Sequence, residues 1–280
     1  MPRGALIVLE GLDRSGKSTQ VDRLVAHLQA SGRDARVHKF PDRTTSIGQM
    51  INSYLQSKSE LDDHAIHLLF AANRWECAAQ IEKDLAAGTT VVCDRYAFSG
   101  IAFTAAKVRR DTRNWGLAAL QLSKANDCAA GLRVSRASSE LAVNWWYSLA
   151  RLTPILPPLL STHATTDTSQ GIDFTYCLTP DTGLPLPDTT LFLTLSPEVA
   201  SKRGAYGEER YETLDTQTRV REQFALVGRE MAARHPGRWE EVSAEGTMDA
   251  VEAKVWTRVQ AVVKRVEAGG EGSELGRLWV

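Results

Sequence analysis

The sequence predicts an α/β fold, with a five-stranded parallel sheet covered by helices on both faces. Three observations carry that expectation. Short continuous apolar runs alternate with amphipathic helical segments, the order that crossover units produce. A glycine-rich loop, Gly11 to Ser18, stands between the first run and the first helix. The 280 residues are 43% hydrophobic and 24% charged, enough apolar material for one sizeable core.

Each element has its own warrant. Residues 5–9 (ALIVL) form an unbroken apolar run, the pattern of a strand buried on both faces. Helix follows over 16–30, where Val21, Leu24, Val25 and Leu28 recur at helical spacing before Ser31 and Gly32 stop it. Residues 34–40 read as the second strand, ended by Pro41. Asp62 and Asp63 are good N-caps for a long helix whose apolar stripe includes Ile66, Leu69, Phe70, Ile81 and Leu85, and Gly88 closes it. Residues 89–94 (TTVVCD) and 189–195 (TTLFLTL) are buried strands, and 238–242 (RWEEV) is an edge strand. Helices over 197–204, 214–234 and 247–267 fill the gaps, and no repeat of solenoid period is present.

Charge and cysteine usage exclude several classes. Lys+Arg 33 against Asp+Glu 34 leaves a net charge of -1, which argues against duplex nucleic acid or an anionic membrane as partner. Cys77, Cys93, Cys128 and Cys177 lie far apart with no C-x-x-C pair, so neither a zinc site nor a disulfide framework is expected. A reducing compartment follows. The six histidines show no metal spacing and are expected at the surface or in packing. No apolar run approaches the roughly 20 residues of a membrane span, and Glu10 interrupts the only candidate for a leader's apolar core.

The chemistry begins at Gly11-Leu-Asp-Arg-Ser-Gly16-Lys17-Ser18, a full G-x-x-x-x-G-K-[ST] between strand and helix. Glycines let backbone N–H groups wrap a phosphate, and the helix N-terminus adds a favourable dipole. Gly11, Asp13, Arg14, Ser15, Gly16, Lys17, Ser18 and Thr19 are the expected triphosphate site, with Lys17 bridging the β- and γ-phosphates. Ser18 is placed for Mg²⁺, and Asp94, closing its strand as a Walker-B-like acid does, is the second expected metal residue. A chance lysine beside a glycine turn is the plain alternative, which the flanking strand and helix disfavour. Arg14 would stand beside the phosphoryl group in flight; the competing reading is a surface pair with Asp13.

A second substrate is written into Arg95, Ser99 and Phe103, which recur at i, i+4 and i+8 at the ligand end of a strand. Phe70 and Arg74 set a flat ring and a planar guanidinium one turn apart, able to stack on a base and bond its edge. Such a pair alone is more often core packing beside a surface charge. Arg43 adds a cation just past the second strand.

Several long runs, FPDRTT-x-IG, LLFAANRWE, DRYAFSG-x-AF-x-x-AK, PDTGLP-x-PDTTLFL and RGAYGEERYE, occur in one order. Together they resemble thymidylate kinases of the eukaryotic type, closely over 3–107 and 171–225 and more loosely beyond. The resemblance implies a P-loop fold of the nucleoside monophosphate kinase kind. It implies transfer of the γ-phosphoryl of ATP to dTMP, giving dTDP and ADP, with Mg²⁺. By that likeness Arg43 and Arg95 hold the acceptor phosphate and Asp13 meets the sugar 3′-OH. Phe70 stacks on thymine, Arg74 bonds its carbonyl edge, Ser99 lines the base pocket and Phe103 crowds the 2′ position. Gly204, Tyr206, Glu209, Arg210, Tyr211 and Glu212 match a lid, and Tyr211, Glu212 and Gln217 lie close to the nucleotide. The likeness also implies a homodimer of the cytoplasm, with the nucleus as a second location. Thr179 departs from the family, where glutamine is usual before Pro-Asp, and little consequence is expected.

The chemistry agrees with the resemblance. A phosphate monoester has a second pKa of about 6 and is already ionised at neutral pH, so no strong base is required. The barrier is the approach of two polyanions, which Lys17, Arg14, Arg43, Arg95 and Mg²⁺ relieve. Two rivals remain at this stage: a kinase for another pyrimidine nucleoside or nucleotide, and a catalytically silent nucleotide-binding interaction protein.

Residues 108–170 break the rhythm, with three of the seven tryptophans, a Pro-rich apolar piece from Pro154 to Leu160, and weak helical patterns over 117–132 and 140–152. The expected organisation is one kinase domain from 1–107 and 171–268, an insertion at 108–170 and a tail at 269–280. Val108-Arg109 can be encoded GTA-AGA, Gln170 CAG, and Thr166-Asp167 ACT-GAC. The insertion therefore reads as a translated intron that keeps the frame; a genuine insertion near the nucleoside pocket is the competing reading.

Overall fold

Leu6 and Val8 point to one side of strand β1 (Leu6–Gly11) and Ile7 and Leu9 to the other, and the two sets enter different cores. Such two-faced burial requires helices above and below the sheet. The computed structural model supplies them; it describes residues 2–107, 172–196, 199, 210–269 and 273–280. Residues Met1–Val108 and Gly171–Val280 form one compact unit.

Strands β2 (Ala35–Lys39), β3 (Thr90–Asp94), β4 (Thr189–Thr194) and β5 (Trp239–Ser243) complete a five-stranded sheet in the order β2-β3-β1-β4-β5. Every neighbouring pair is parallel, and Val8 lies between Cys93 of β3 and Thr190 of β4. The sequence-expected sheet is therefore present, with β5 at an edge. Its Glu240 and Glu241 face solvent while Val242 is buried.

One face is covered by α1 (Lys17–Ala30) and by the long helix Met248–Ala268 near the end of the chain, whose Val251, Val255, Val259 and Val263 form a four-residue stripe. Over the other face lie α2 (Ser46–Leu55), α3 (Asp63–Ala86), α4 (Ala97–Ala105), the short α5 (Phe174–Leu178) and α6 (Leu214–Arg234); the helix Met248–Ala268 is α7. As expected, Asp62 caps α3, its carboxylate accepting from the backbone N–H groups of His64 and Ala65. Helix α2 is absent from the sequence expectations. Gly48 conceals it: a Cβ there would lie 1.7 Å from the Asp42 carbonyl oxygen, so close packing demands a residue that weakens the helical pattern.

Two further departures matter for the site. Strand β1 continues past Leu9 through Glu10, which is fully buried, because donors from the start of α4 satisfy its carboxylate. Residues near the end of the chain return to the core: Leu278 and Trp279 are buried, and Leu278 exchanges backbone bonds with Gly183 and Leu184. The insertion 108–170 with its two helical patterns lies outside the described residues, as does nearly all of the helix expected over 197–204. Ala105, Ala106 and Ile172, which flank the insertion, belong to one hydrophobic cluster. Among the described residues no helix is long and apolar enough to cross a membrane.

Candidate active site

The loop after β1 is shaped by two glycines. Gly11 has φ +151°, and a Cβ there would sit 2.7 Å from the Leu193 carbonyl oxygen. Gly16, at φ +88°, is the N-cap of α1 and brings no side chain over the helix N-terminus. That leaves the first-turn N–H groups facing the loop mouth, an anion site by geometry and dipole. Lys17 lies across this mouth, its Nζ donating to the Leu12 carbonyl at 2.8 Å. Burial and the neighbouring Arg95 charge lower its pKa to about 8, against the pull of Asp13, Asp94 and Glu10. Ser15 is buried in the turn, and Ser18 and Thr19 are exposed on the first turn of α1.

The Ser18 hydroxyl donates to Asp94 Oδ2 at 2.5 Å, and Lys39 Nζ stands 3.8 Å from the same oxygen. Two hard oxygen donors at the ends of β3 and the loop suit Mg²⁺, which keeps waters and phosphate oxygens as its other ligands. Among the described residues no cluster of three acids, histidines or cysteines offers a full protein cage.

Asp13 and Arg14 do not pair with each other as the local alternative would have it. Arg14, at φ +64°, reaches Glu212 at 3.2 Å. Asp13 forms an ion pair with Arg95 and accepts from Gln217 Nε2 at 2.7 Å. Burial alone raises the Asp13 carboxyl, but Arg95, Lys17, the Gln217 bond and Arg14 together hold it below its ordinary value. Gln217, on α6, also donates to the Tyr211 carbonyl at 2.9 Å and so clamps the loop from behind.

The i, i+4, i+8 set converges, although Arg95 precedes α4, with a left-handed backbone at φ +69°, rather than sharing its helical face. Arg95 Nη1 donates to Ser99 Oγ at 2.9 Å and to the Gly11 carbonyl at 3.1 Å, and its guanidinium lies 5.2 Å from the centre of the Phe103 ring. Beside it opens a cavity of about 90 Å³, partly open to solvent. Asp13, Arg43, Phe70, Arg74, Arg95, Ser99, Phe103, Tyr211 and Glu212 all line it. Tyr211 lies 5.4 Å from Phe103, ring to ring, and its hydroxyl is 3.3 Å from that of Tyr54. Arg43 is exposed and donates to Asn52 Oδ1 at 2.9 Å. Arg210 covers the Tyr54 ring at 4.2 Å, whereas Gly204, Tyr206 and Glu209 of the lid lie outside the described residues.

Arg74 is no surface charge. It is buried, and its Nε and Nη2 donate to the two oxygens of Asp181 at 2.8 and 2.7 Å. Gly100 packs on the guanidinium, where a Cβ would meet its nitrogens at 2.8 and 2.9 Å. Asp181 was not singled out from the sequence, although it stands two residues after the unusual Thr179, whose hydroxyl donates to the Thr175 carbonyl. Glu10 was also missed. An acid ending an apolar strand run beside a phosphate loop is the signal that could have exposed it.

Two polyanion cradles facing each other across the ends of parallel strands are the layout of a P-loop kinase for a small acceptor. A sequence model of thymidylate kinases matches residues 9–115 and 159–255. The chain is 37% identical to a thymidylate kinase of Arabidopsis thaliana over 278 residues, covering 99% of this chain and 78% of the relative. With the human thymidylate kinase it shares 35% over 277 residues, covering 99% and 98%. A solved thymidylate kinase from Candida albicans superposes with a TM-score of 0.68 at 32% identity, over 99% of each chain. The chain belongs to the thymidylate kinase family.

Proposed function

We propose that this chain transfers the γ-phosphoryl group of ATP to dTMP, giving dTDP and ADP. One observation carries the reading: the Phe70–Arg74 pair, suited to a pyrimidine, and Arg43 with Arg95, suited to a phosphate, line one cavity that abuts the glycine-rich loop. The acceptor phosphate, ionised at neutral pH, attacks in line, so the residues have to position it and neutralise charge rather than remove a proton. Arg95 and Arg43 hold that phosphate. Lys17 and Arg14 offset charge on the transferring group, worth several kcal/mol in sites of this kind. Phe70 stacks on the base, Arg74 bonds its edge and Phe103 crowds the 2′ position. Asp13 keeps lone pairs for the sugar 3′-OH besides its bonds to Arg95 and Gln217. Ser18 and Asp94 would hold Mg²⁺, which when bound neutralises the β- and γ-oxygens.

A silent binding protein would not need Lys17, Arg14, Asp94 and Arg95 around one mouth. The test is ADP release measured across dTMP, dUMP, UMP, CMP, AMP and thymidine. Turnover fastest with dTMP is expected, preference for another acceptor overturns the thymidylate assignment, and no turnover with any overturns the enzyme. The half-exposed Leu68 and Trp75 share a face of α3 and favour a homodimer, which sedimentation tests. Free thiols at Cys77, Cys93 and Cys177 suit the reducing cytoplasm or nucleus. The kinase domain is formed by the segments on either side of 108–170, as the shared cluster of Ala105, Ala106 and Ile172 and the compact unit of Met1–Val108 with Gly171–Val280 support.

A further inference from the structure

We propose that Glu10 is a positioning residue for the acceptor phosphate, fixing Arg95 and the start of α4 without touching substrate. The proposal rests on the reading of Arg95 as a phosphate ligand. Glu10 is the last side chain of β1 before the glycine-rich loop and has no solvent exposure. Its Oε1 accepts from the backbone N–H groups of Tyr96 at 2.9 Å and Ser99 at 3.0 Å. Its Oε2 accepts from the Ser99 hydroxyl at 2.6 Å, and Ser99 Oγ in turn accepts from Arg95 Nη1 at 2.9 Å.

Three consequences follow. Tyr96, the N-cap of α4, gives no side-chain cap, so Glu10 caps the helix from a different element at the N-cap and N3 positions, where an acid also meets the favourable dipole. Arg95 has φ +69°, a left-handed conformation that a non-glycine residue holds only when its surroundings over-determine it. Here they do: the Arg95 N–H donates to the Leu9 carbonyl at 3.0 Å and the next N–H, of Tyr96, donates to Glu10. The peptide groups on either side of the Arg95 Cα are thus held by consecutive residues of β1. Finally, Glu10 lies close enough to Arg95 and Lys17 to act on both electrostatically. Burial leaves the Glu10 carboxyl above its ordinary value, against the pull of Arg95 and the bonds from Ser99 and Tyr96.

Glu10→Gln keeps the shape and the carbonyl acceptor for the two N–H groups. Its amide nitrogen faces the Ser99 hydroxyl as a donor, so the link from Ser99 to Arg95 is disturbed. Binding of dTMP and of thymidine to the full chain, measured by calorimetry, separates phosphate from nucleoside. Glu10→Gln is expected to weaken dTMP by about tenfold or more while thymidine and ATP bind as before. Ser99→Ala, which keeps Glu10 and removes the link, shifts the same preference in the same direction and serves if Glu10→Gln does not fold. Equal weakening of dTMP and thymidine, or a wild-type preference in both variants, overturns the proposal. Arg95→Ala distinguishes the two failures. If it too leaves the dTMP preference intact, the reading of Arg95 falls and takes the proposal with it. If it abolishes the preference while Glu10→Gln and Ser99→Ala do not, only the role of Glu10 falls.

Discussion

Arg74 and Asp181 offer a way to separate what holds the pocket together from what recognises the acceptor. Their side chains are 3% and 0% exposed and share two bonds of 2.8 and 2.7 Å. Burial raises the Asp181 carboxyl above its ordinary value even against the adjacent guanidinium, so desolvation outweighs the attraction. A pair of that kind adds little net stability, but removing one partner strands the other as a buried charge, costing about 3–5 kcal/mol. Asp181→Ala is therefore expected to lose that much in urea unfolding. Arg74→Met with Asp181→Val removes both charges at similar volume and is expected to recover most of the loss. The double variant still lacks the guanidinium, so its dTMP affinity should stay weak, by about tenfold or more. Chemical denaturation gives the first quantity and calorimetric titration with dTMP the second. Wild-type dTMP affinity in the stable double variant refutes base recognition by Arg74. A loss below about 1 kcal/mol in Asp181→Ala refutes the buried-charge argument itself.

Three further outcomes are expected. Lys17 has a pKa of about 8 in the free protein, and bound phosphates favour its charged form, so ATP binding takes up a proton above pH 8 and its affinity falls as pH rises through that value. Calorimetry in buffers of different ionisation heat should show uptake at pH 8.5 and none at pH 6.5; equal proton counts at both refute it. His67 is buried, its ring nitrogens 2.9 Å from the Thr104 hydroxyl and 3.2 Å from the Cys177 carbonyl, and burial, with Arg74, lowers its pKa to about 4. The unfolded chain takes up the proton near pH 6.5 and the folded chain does not, so this group's contribution, about 3 kcal/mol, is present above pH 6.5 and lost toward pH 4. His67→Gln should flatten the stability profile across that window, and an unchanged slope refutes the argument. A chain joining Lys107 directly to Gly171 is expected to fold and turn over dTMP; failure to fold makes residues 108–170 part of the enzyme, and transcript sequencing across codons 107–171 tests the intron reading directly.

Much of the fold was legible because its strands are buried on both faces, which writes them as unbroken apolar runs bounded by glycine, proline and aspartate. Residues 189–195 show it: the observed strand is Thr189–Thr194. What stayed hidden depends on pairing between distant segments. Glu10 reads as the end of a strand until the N-terminus of α4 is placed beside it. Asp181 lies more than a hundred residues from Arg74, and Leu278 and Trp279 are short apolar residues in a tail until Gly183 and Leu184 pair with it. The residues that line the cavity were readable because their spacing along the chain is short. Their anchors were not, because no local period links an anchor to what it holds.

That division has a chemical consequence. Arg14, Arg74 and Arg95 each meet a carboxylate from elsewhere in the chain: Glu212, Asp181 and Asp13. Cations gathered without such partners would repel one another and favour other rotamers before any anion arrived. With them, each guanidinium is already oriented, and an arginine has five donors, more than one carboxylate engages. An incoming phosphate or base can therefore bond to the remaining donors without displacing the anchor, and little conformational entropy is lost on binding. The same arrangement predicts where the site is vulnerable. Substituting Asp181 should mimic loss of Arg74, the cation it holds, although Asp181 itself does not line the cavity.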